Sequence, residues 1–177
     1  NVPIQNYSML FAATGKAFGV SGMTIVIIHK SMLKEAGEYL PPLQSYMSIA
    51  KHQSMYATPS LICIDMLGHM VDWMTEQGGV GHIEQRQKMR SEKIYQIVDR
   101  KEIFSTKGPV EFRSMHNVCF SIDDDQERFF KCAQDRGIIG LRGHKLVGGA
   151  RICLTHGITD QAFDVLCQFL TDYKEAK

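Results

Sequence analysis

A chain of 177 residues, 22% charged and 44% hydrophobic, with a formal net charge of +1, has the makeup of a soluble globular protein of one ordinary domain or a small pair. The near-neutral balance gives no support to a polyanion-binding surface, and the longest apolar run, Met23 to Ile28, is far too short to cross a bilayer, so neither a nucleic-acid nor a membrane partner is expected. The five cysteines, at 63, 119, 132, 153 and 167, are odd in number and widely spaced, which fits reduced thiols in a cytosolic or organellar protein better than a disulfide framework or a zinc site.

No charged-then-apolar leader is read at the start, and Asn1 leads almost at once into a strand-like run, as a segment continued from something longer would. Tyr7 to Ala13 and Met23 to His29 read as buried strands joined by the glycine turn "TGKAFGVSG". "HKSMLKEAGEYLPP" predicts a short helix stopped by Pro41 and Pro42. "SIAKHQSMYATPS" reads as a loop ending at Pro59, a first-turn proline. Ser60 to Glu76 predicts an apolar helix closed by Gly78 and Gly79.

Gly81 to Lys101 predicts a long charged helix with Ile94, Ile97 and Val98 as apolar positions and the remainder as a solvated face. Beyond Lys101, "EIFSTKG" and "FRSMHNVCFSI" read as strands. Gln126 to Arg136 predicts a helix with Phe129, Phe130 and Ala133 inward and Gly137 as its stop. "LRGHKLVGGARICLTHG" reads as a strand interrupted by glycines, with Gly148 and Gly149 marking a bulge or a close backbone approach. A last amphipathic helix places Ala162, Leu166, Phe169, Leu170 and Tyr173 on one face. The class is α/β, and Glu102 to Lys177 has the makings of a small α/β sandwich.

Three places carry candidate chemistry. Lys16 stands at a strand end: either its ammonium snorkels into solvent, the better local reading, or a desolvated site lowers its pKa and makes it a nucleophile. "TGKAFG" is not a phosphate-binding P-loop, because the first glycine is absent and Ala17 stands where Ser or Thr must hold magnesium. His144, Lys145 and Arg151 alternate with glycines, as a pocket for an anionic substrate needs; the other reading is an ordinary surface turn. Thr58, before Pro59, either caps the following helix or offers a hydroxyl to a phosphate.

Taken in order, these segments resemble the phosphoserine aminotransferase family, class-V, fold-type-I enzymes that use pyridoxal phosphate. "TGKAFGVSG" keeps the lysine and glycines of the family's A-Q-K-N-x-G-P-A-G, and "SMYATPS" resembles S-M-x-N-T-P-P. "WMTEQGGV" matches the W-x-x-x-x-G-G-V helix end, "RSMHNVCF" matches R-S-x-M-N-V-x-F, and "GLRGHKLVGGARICL" is similar to G-L-x-G-H-R-x-V-G-G-M-R-A-S-I. The resemblance covers nearly the whole chain, as the C-terminal half of proteins about twice as long.

The resemblance implies residues 1–80 as the end of the large-domain sheet, 81–101 as a connecting helix and 102–177 as the small domain. It implies Lys16 as the covalent anchor and catalytic base for pyridoxal phosphate, and Thr58 as a ligand of the cofactor phosphate of a neighbouring subunit in a homodimer. Arg151 then grips the substrate carboxylate, and His144 and Lys145 lie near the substrate phosphate. The implied reaction moves an amino group between glutamate and 3-phosphohydroxypyruvate, with the N-terminal half of the enzyme supplied, in the cytoplasm or an organelle. Gly15, Ala17, Val20, Ala57 and Lys145 depart from the family pattern. Two other readings stay open here: a non-catalytic remnant that binds a partner, and a transaminase for another substrate.

Overall fold

Thr14 is the stitch of the first supersecondary unit. In the computed structural model, which describes residues 2–33 and 40–173, β1 (Met9–Ala13) pairs antiparallel with β2 (Thr24–Ile28) in the register Met9↔Ile28 to Ala13↔Thr24. The Thr14 amide donates to the Met23 carbonyl at 2.8 Å, and its hydroxyl donates to the same carbonyl and accepts from the Met23 amide, both at 3.0 Å. Both strands were expected to be buried, yet all their residues are half-buried or exposed, with Phe11 72% exposed. The reason is structural: strand side chains project from the faces of a sheet and are buried only under a packed layer, and a two-stranded ribbon offers little surface for one.

The helix expected in "HKSMLKEAGEYLPP" falls mostly on 34–39, outside the described residues. Its flanks form short 3₁₀ turns, Lys30–Met32 and Pro42–Gln44. Pro42 opens a turn instead of only closing a helix, because its fixed φ suits a first helical position. The start of the region read as a loop belongs to α1 (Tyr46–Lys51), nucleated by Ser45, whose hydroxyl accepts from the Ser48 amide at 3.2 Å. α2 runs Leu61–Glu76, with Ser60 rather than Thr58 at its N-cap. Pro59 therefore precedes the helix instead of sitting in its first turn.

α3 (Gly79–Asp99) begins just after Gly78, whose φ of 86° only glycine takes without strain. Its charged face is not all solvated. Gln87 and Arg90 are each 5% exposed. The Gln87 amide donates to the carbonyls of Met115 (2.8 Å) and Leu154 (3.0 Å). Arg90 donates to the Ile158 carbonyl at 2.8 Å and to the Asp160 carboxylate at 2.5 Å. Burial of such donors is tolerated because each has an acceptor.

β3 (Phe104–Ser105), β4 (Asn117–Ile122) and β5 (Ala150–Cys153) form an antiparallel sheet in the order β3-β4-β5. Val118, Phe120 and Ile122 alternate inward and meet Ile94 and Val98 of α3 in one core. α4 (Gln126–Asp135) adds Phe129 and Ala133, capped by Asp125, whose carboxylate accepts from the amides of Glu127 and Arg128. α5 (Asp160–Asp172) buries Phe163, Leu166, Cys167, Phe169 and Leu170; Ala162, expected inward, is exposed, one position off the stripe that Phe163 starts. Phe104, Phe120, Phe129, Phe169 and Tyr173 interlock edge-to-face and stacked at the centre.

The chain is mixed α/β and divides into two compact units, Asn1–Gly81 and His82–Lys177. Among the described residues no helix is long and apolar enough to cross a membrane, and no cluster of His, Cys, Asp and Glu could hold a metal ion.

Candidate active site

Lys16 follows β1 in a one-turn 3₁₀ segment, Lys16–Phe18, that the glycines make possible. Gly15 has φ 124° and Gly19 φ 95°, and Lys16 itself is held at φ 49°. A lysine in left-handed backbone is strained by its Cβ, and such strain persists only where the surroundings enforce it. They do so here. A Cβ on Gly15 would stand 2.7 Å from the Ser21 hydroxyl, one on Gly22 3.1 Å from the Cys63 sulfur, and one on Gly19 3.4 Å from the Met70 side chain. Gly19 and Gly22 thus lie against α2, at Met66 and Met70 and at Cys63. The Lys16 side chain is exposed and makes no ion pair or hydrogen bond among the described residues.

Thr58 lies in the exposed stretch before α2. It does not cap that helix: Ser60 occupies the cap and turns its own hydroxyl to the Cys63 sulfur at 3.1 Å. The Thr58 hydroxyl is left for another acceptor.

In the second unit, residues 141–151 form a narrow loop that brings His144, Lys145 and Arg151 onto one short segment. Its stem is closed by the Gly143 amide donating to Gly149 (2.8 Å) and the Arg151 amide donating to Leu141 (2.7 Å). At its tip the amides of Val147 and Gly148 both donate to the His144 carbonyl. The close approach expected at the paired glycines is present. Gly149, at φ 65°, would drive a Cβ to 2.5 Å from the Phe120 carbonyl oxygen, and a Cβ on Gly143 would overlap the Gly148 carbonyl. His144 and Lys145 are exposed on the tip. The His144 Nδ1 accepts from the Leu146 amide at 3.3 Å, which leaves Nε2 as the nitrogen that can donate outward.

Arg151 sits on β5 opposite Cys119 of β4, on the sheet face turned away from the core. It is half-buried, its Nε is buried without a hydrogen-bond partner, and it forms no ion pair among the described residues. A planar fork with open donors on a rigid strand suits a carboxylate.

One feature beside this loop escaped the reading of the sequence. Arg142 forms a two-pronged pair with Glu127 at 2.7 and 2.6 Å and lies over the Phe130 ring at 4.3 Å. The Arg142 guanidinium holds the Glu127 carboxyl below its usual range. Glu127 and Arg142 are far apart in sequence, so no local pattern announces the pair. Lys16 and Thr58 belong to the first unit, and His144, Lys145 and Arg151 to the second.

Residues 1–159 match the family described as aminotransferase class-V. The chain is 33% identical over 175 residues to the phosphoserine aminotransferase of Legionella pneumophila strain Corby, covering 97% of this chain and 48% of that protein. It is 33% identical over 176 residues to the phosphoserine aminotransferase of Halalkalibacterium halodurans, with the same coverage. Among solved structures it superposes on a pyridoxal-phosphate-bound phosphoserine aminotransferase from Trichomonas vaginalis with TM-score 0.84 and 28% identity, over 97% of this chain and 50% of that one. The phosphoserine aminotransferase of Bacillus circulans subsp. alkalophilus gives TM-score 0.86 and 27% identity, over 96% and 48%. The chain spans about half the length of the curated relatives it matches.

Proposed function

The chain belongs to the class-V aminotransferase family, and we propose that it carries the lysine-bearing half of a pyridoxal-phosphate enzyme that moves an amino group between glutamate and 3-phosphohydroxypyruvate, a step of serine biosynthesis. The observation that carries this reading is the match of 97% of the chain to phosphoserine aminotransferases, with Lys16 unpaired on a strained turn. Catalysis requires the remaining half of the fold that those relatives possess. The protein works in this reading as a homodimer in the cytoplasm or an organelle.

Lys16 fits the cofactor: its side chain is exposed and its amine is free of intramolecular partners among the described residues. Pyridoxal phosphate, when bound, supplies an aldehyde for the amine and an electron sink for the substrate α-carbon. Lys16 Nζ would serve as the nucleophile toward that aldehyde and as the base and acid for the substrate α-proton. The rigid turn fixes where that proton is taken and returned. Thr58 would offer its hydroxyl to the phosphate of the cofactor held by the neighbouring subunit. The Arg151 fork holds the α-carboxylate of the substrate, while His144 Nε2 and the Lys145 ammonium donate to the phosphate of the acceptor. Lys145 gives a point charge there and not a bidentate fork.

The test is amino transfer from glutamate, measured as 2-oxoglutarate release, in the whole polypeptide that carries this chain. Phosphohydroxypyruvate should be the preferred acceptor, and Lys16→Ala should lower the rate by about 10²-fold or more, the scale of a lost acid–base group. Equal rates in the variant, or preference for unphosphorylated acceptors, would overturn the reading.

A further inference from the structure

The outward face of the small sheet carries two free thiols beside Arg151. β4 and β5 pair Cys119 with Arg151 and Asn117 with Cys153, and both cysteines are exposed and unbridged. Side chains directly opposite on one sheet face have Cβ atoms about 5 Å apart, whereas diagonal neighbours are about 7–8 Å apart. Cys119 is therefore an immediate neighbour of Arg151, and Cys153 follows Arg151 two residues along the same strand and face. The two thiols lie on the diagonal, wider than the Cβ separation of about 4 Å that a disulfide takes. They are placed to accept external groups, not to bridge each other. Arg151, with no ion pair among the described residues and an unpartnered buried Nε, has its charge uncommitted.

We propose that Cys119 and Cys153 form a thiol-modification site, selective for small disulfides that bear carboxylates, whose occupation closes Arg151 to substrate. The inference rests on the reading of Arg151 as a carboxylate clamp. The reagent's carboxylate is held by the guanidinium, which brings its sulfurs beside the thiols. The cysteine loses its proton to water, and its thiolate attacks one sulfur of the disulfide. A new S–S bond forms to the protein, the reagent's S–S bond breaks, and the second half leaves as a thiolate with the electron pair. The tag's carboxylate remains on Arg151. Cys63 and Cys167 are buried, and burial pushes the Cys167 thiol up, away from its nucleophilic form.

The test compares dithiobis-nitrobenzoate, which carries carboxylates, with cystamine, which carries ammonium groups, on the whole polypeptide, with labelling rates mapped by peptide mass. Relative to Cys132, Cys119 and Cys153 should take the anionic reagent about fivefold faster than the cationic one, a gain of the size of one partly exposed charge pair. Arg151→Gln should erase that preference, glutamate should slow the labelling, and labelled protein should lose glutamate binding while the Cys119→Ser/Cys153→Ser variant keeps it after the same treatment. A charge preference absent in the unaltered protein, or unchanged by Arg151→Gln, overturns the inference; so does glutamate binding that survives labelling. If Arg151→Gln abolishes glutamate binding but leaves the reagent preference intact, the thiol inference falls and the aminotransferase reading stands. If the unlabelled protein binds no glutamate, that reading falls, and the reagent preference still decides the thiol site.

Discussion

Gly149 shows how much one missing side chain does for the loop 141–151. With φ at 65° and the Phe120 carbonyl oxygen 2.5 Å from where a Cβ would stand, Gly149→Ala must push β5 away from β4. We expect a loss of about 2–3 kcal/mol, combining backbone strain with a displaced ladder, read as a lower Tm together with weaker binding of phosphorylated acceptors. His156 gives a second expectation. Burial, followed by the charges of Arg86 and His116, holds its imidazole below the usual value. The unfolded chain takes that proton near pH 6.5 and the folded chain only at lower pH. The stability His156 contributes is therefore complete above about pH 6.5 and is lost as pH falls through the folded pKa. Urea midpoints should drop more steeply between about pH 7 and pH 5 in the unaltered protein than in His156→Gln. Single residues were unevenly legible in the sequence. A glycine pair flanked by strand residues announces a close approach, but no local pattern encodes the positive φ of Lys16, in a turn that lies against α2.

At the scale of elements, what the hydrophobic period can see came out well and what it cannot see did not. α4 and α5 have strong apolar stripes, good caps and glycine or polar stops, and apart from Ala162 their cores are where the period places them. α1 was missed because it is short and offers no stripe; its only signal is the serine cap. The strands β1 and β2 were correctly located but wrongly expected to be buried, since burial depends on what lies beside a ribbon and not on the ribbon's own composition. On α3, Gln87 and Arg90 look like part of a solvated face, yet Gln87 ties the helix to the chain beside the ends of β4 and β5, and Arg90 ties it to the start of α5. The aromatic cluster gives the element-scale test. Phe129 has no solvent exposure and touches Phe104, Phe120, Phe169 and Tyr173. Phe129→Ala should cost about 3–5 kcal/mol, measured as a shift in the urea midpoint.

At the scale of the whole molecule, the residues proposed to act together belong to both units: Lys16 lies on a strained turn in the first, and His144, Lys145 and Arg151 lie on one loop and strand of the second. Class-V membership and the match to phosphoserine aminotransferases follow from motifs that hold their order from Lys16 to Arg151. Those motifs were readable because glycines, the lysine and the arginine sit where backbone geometry or charge permits few substitutes. The central claim is that Lys16 holds pyridoxal phosphate, and borohydride reduction of the native full polypeptide followed by peptide mapping tests it most directly. The account predicts a stable pyridoxyl group on Lys16, lost in Lys16→Ala. A pyridoxyl group on another lysine, or none on a protein with both halves present and the cofactor supplied, would contradict it.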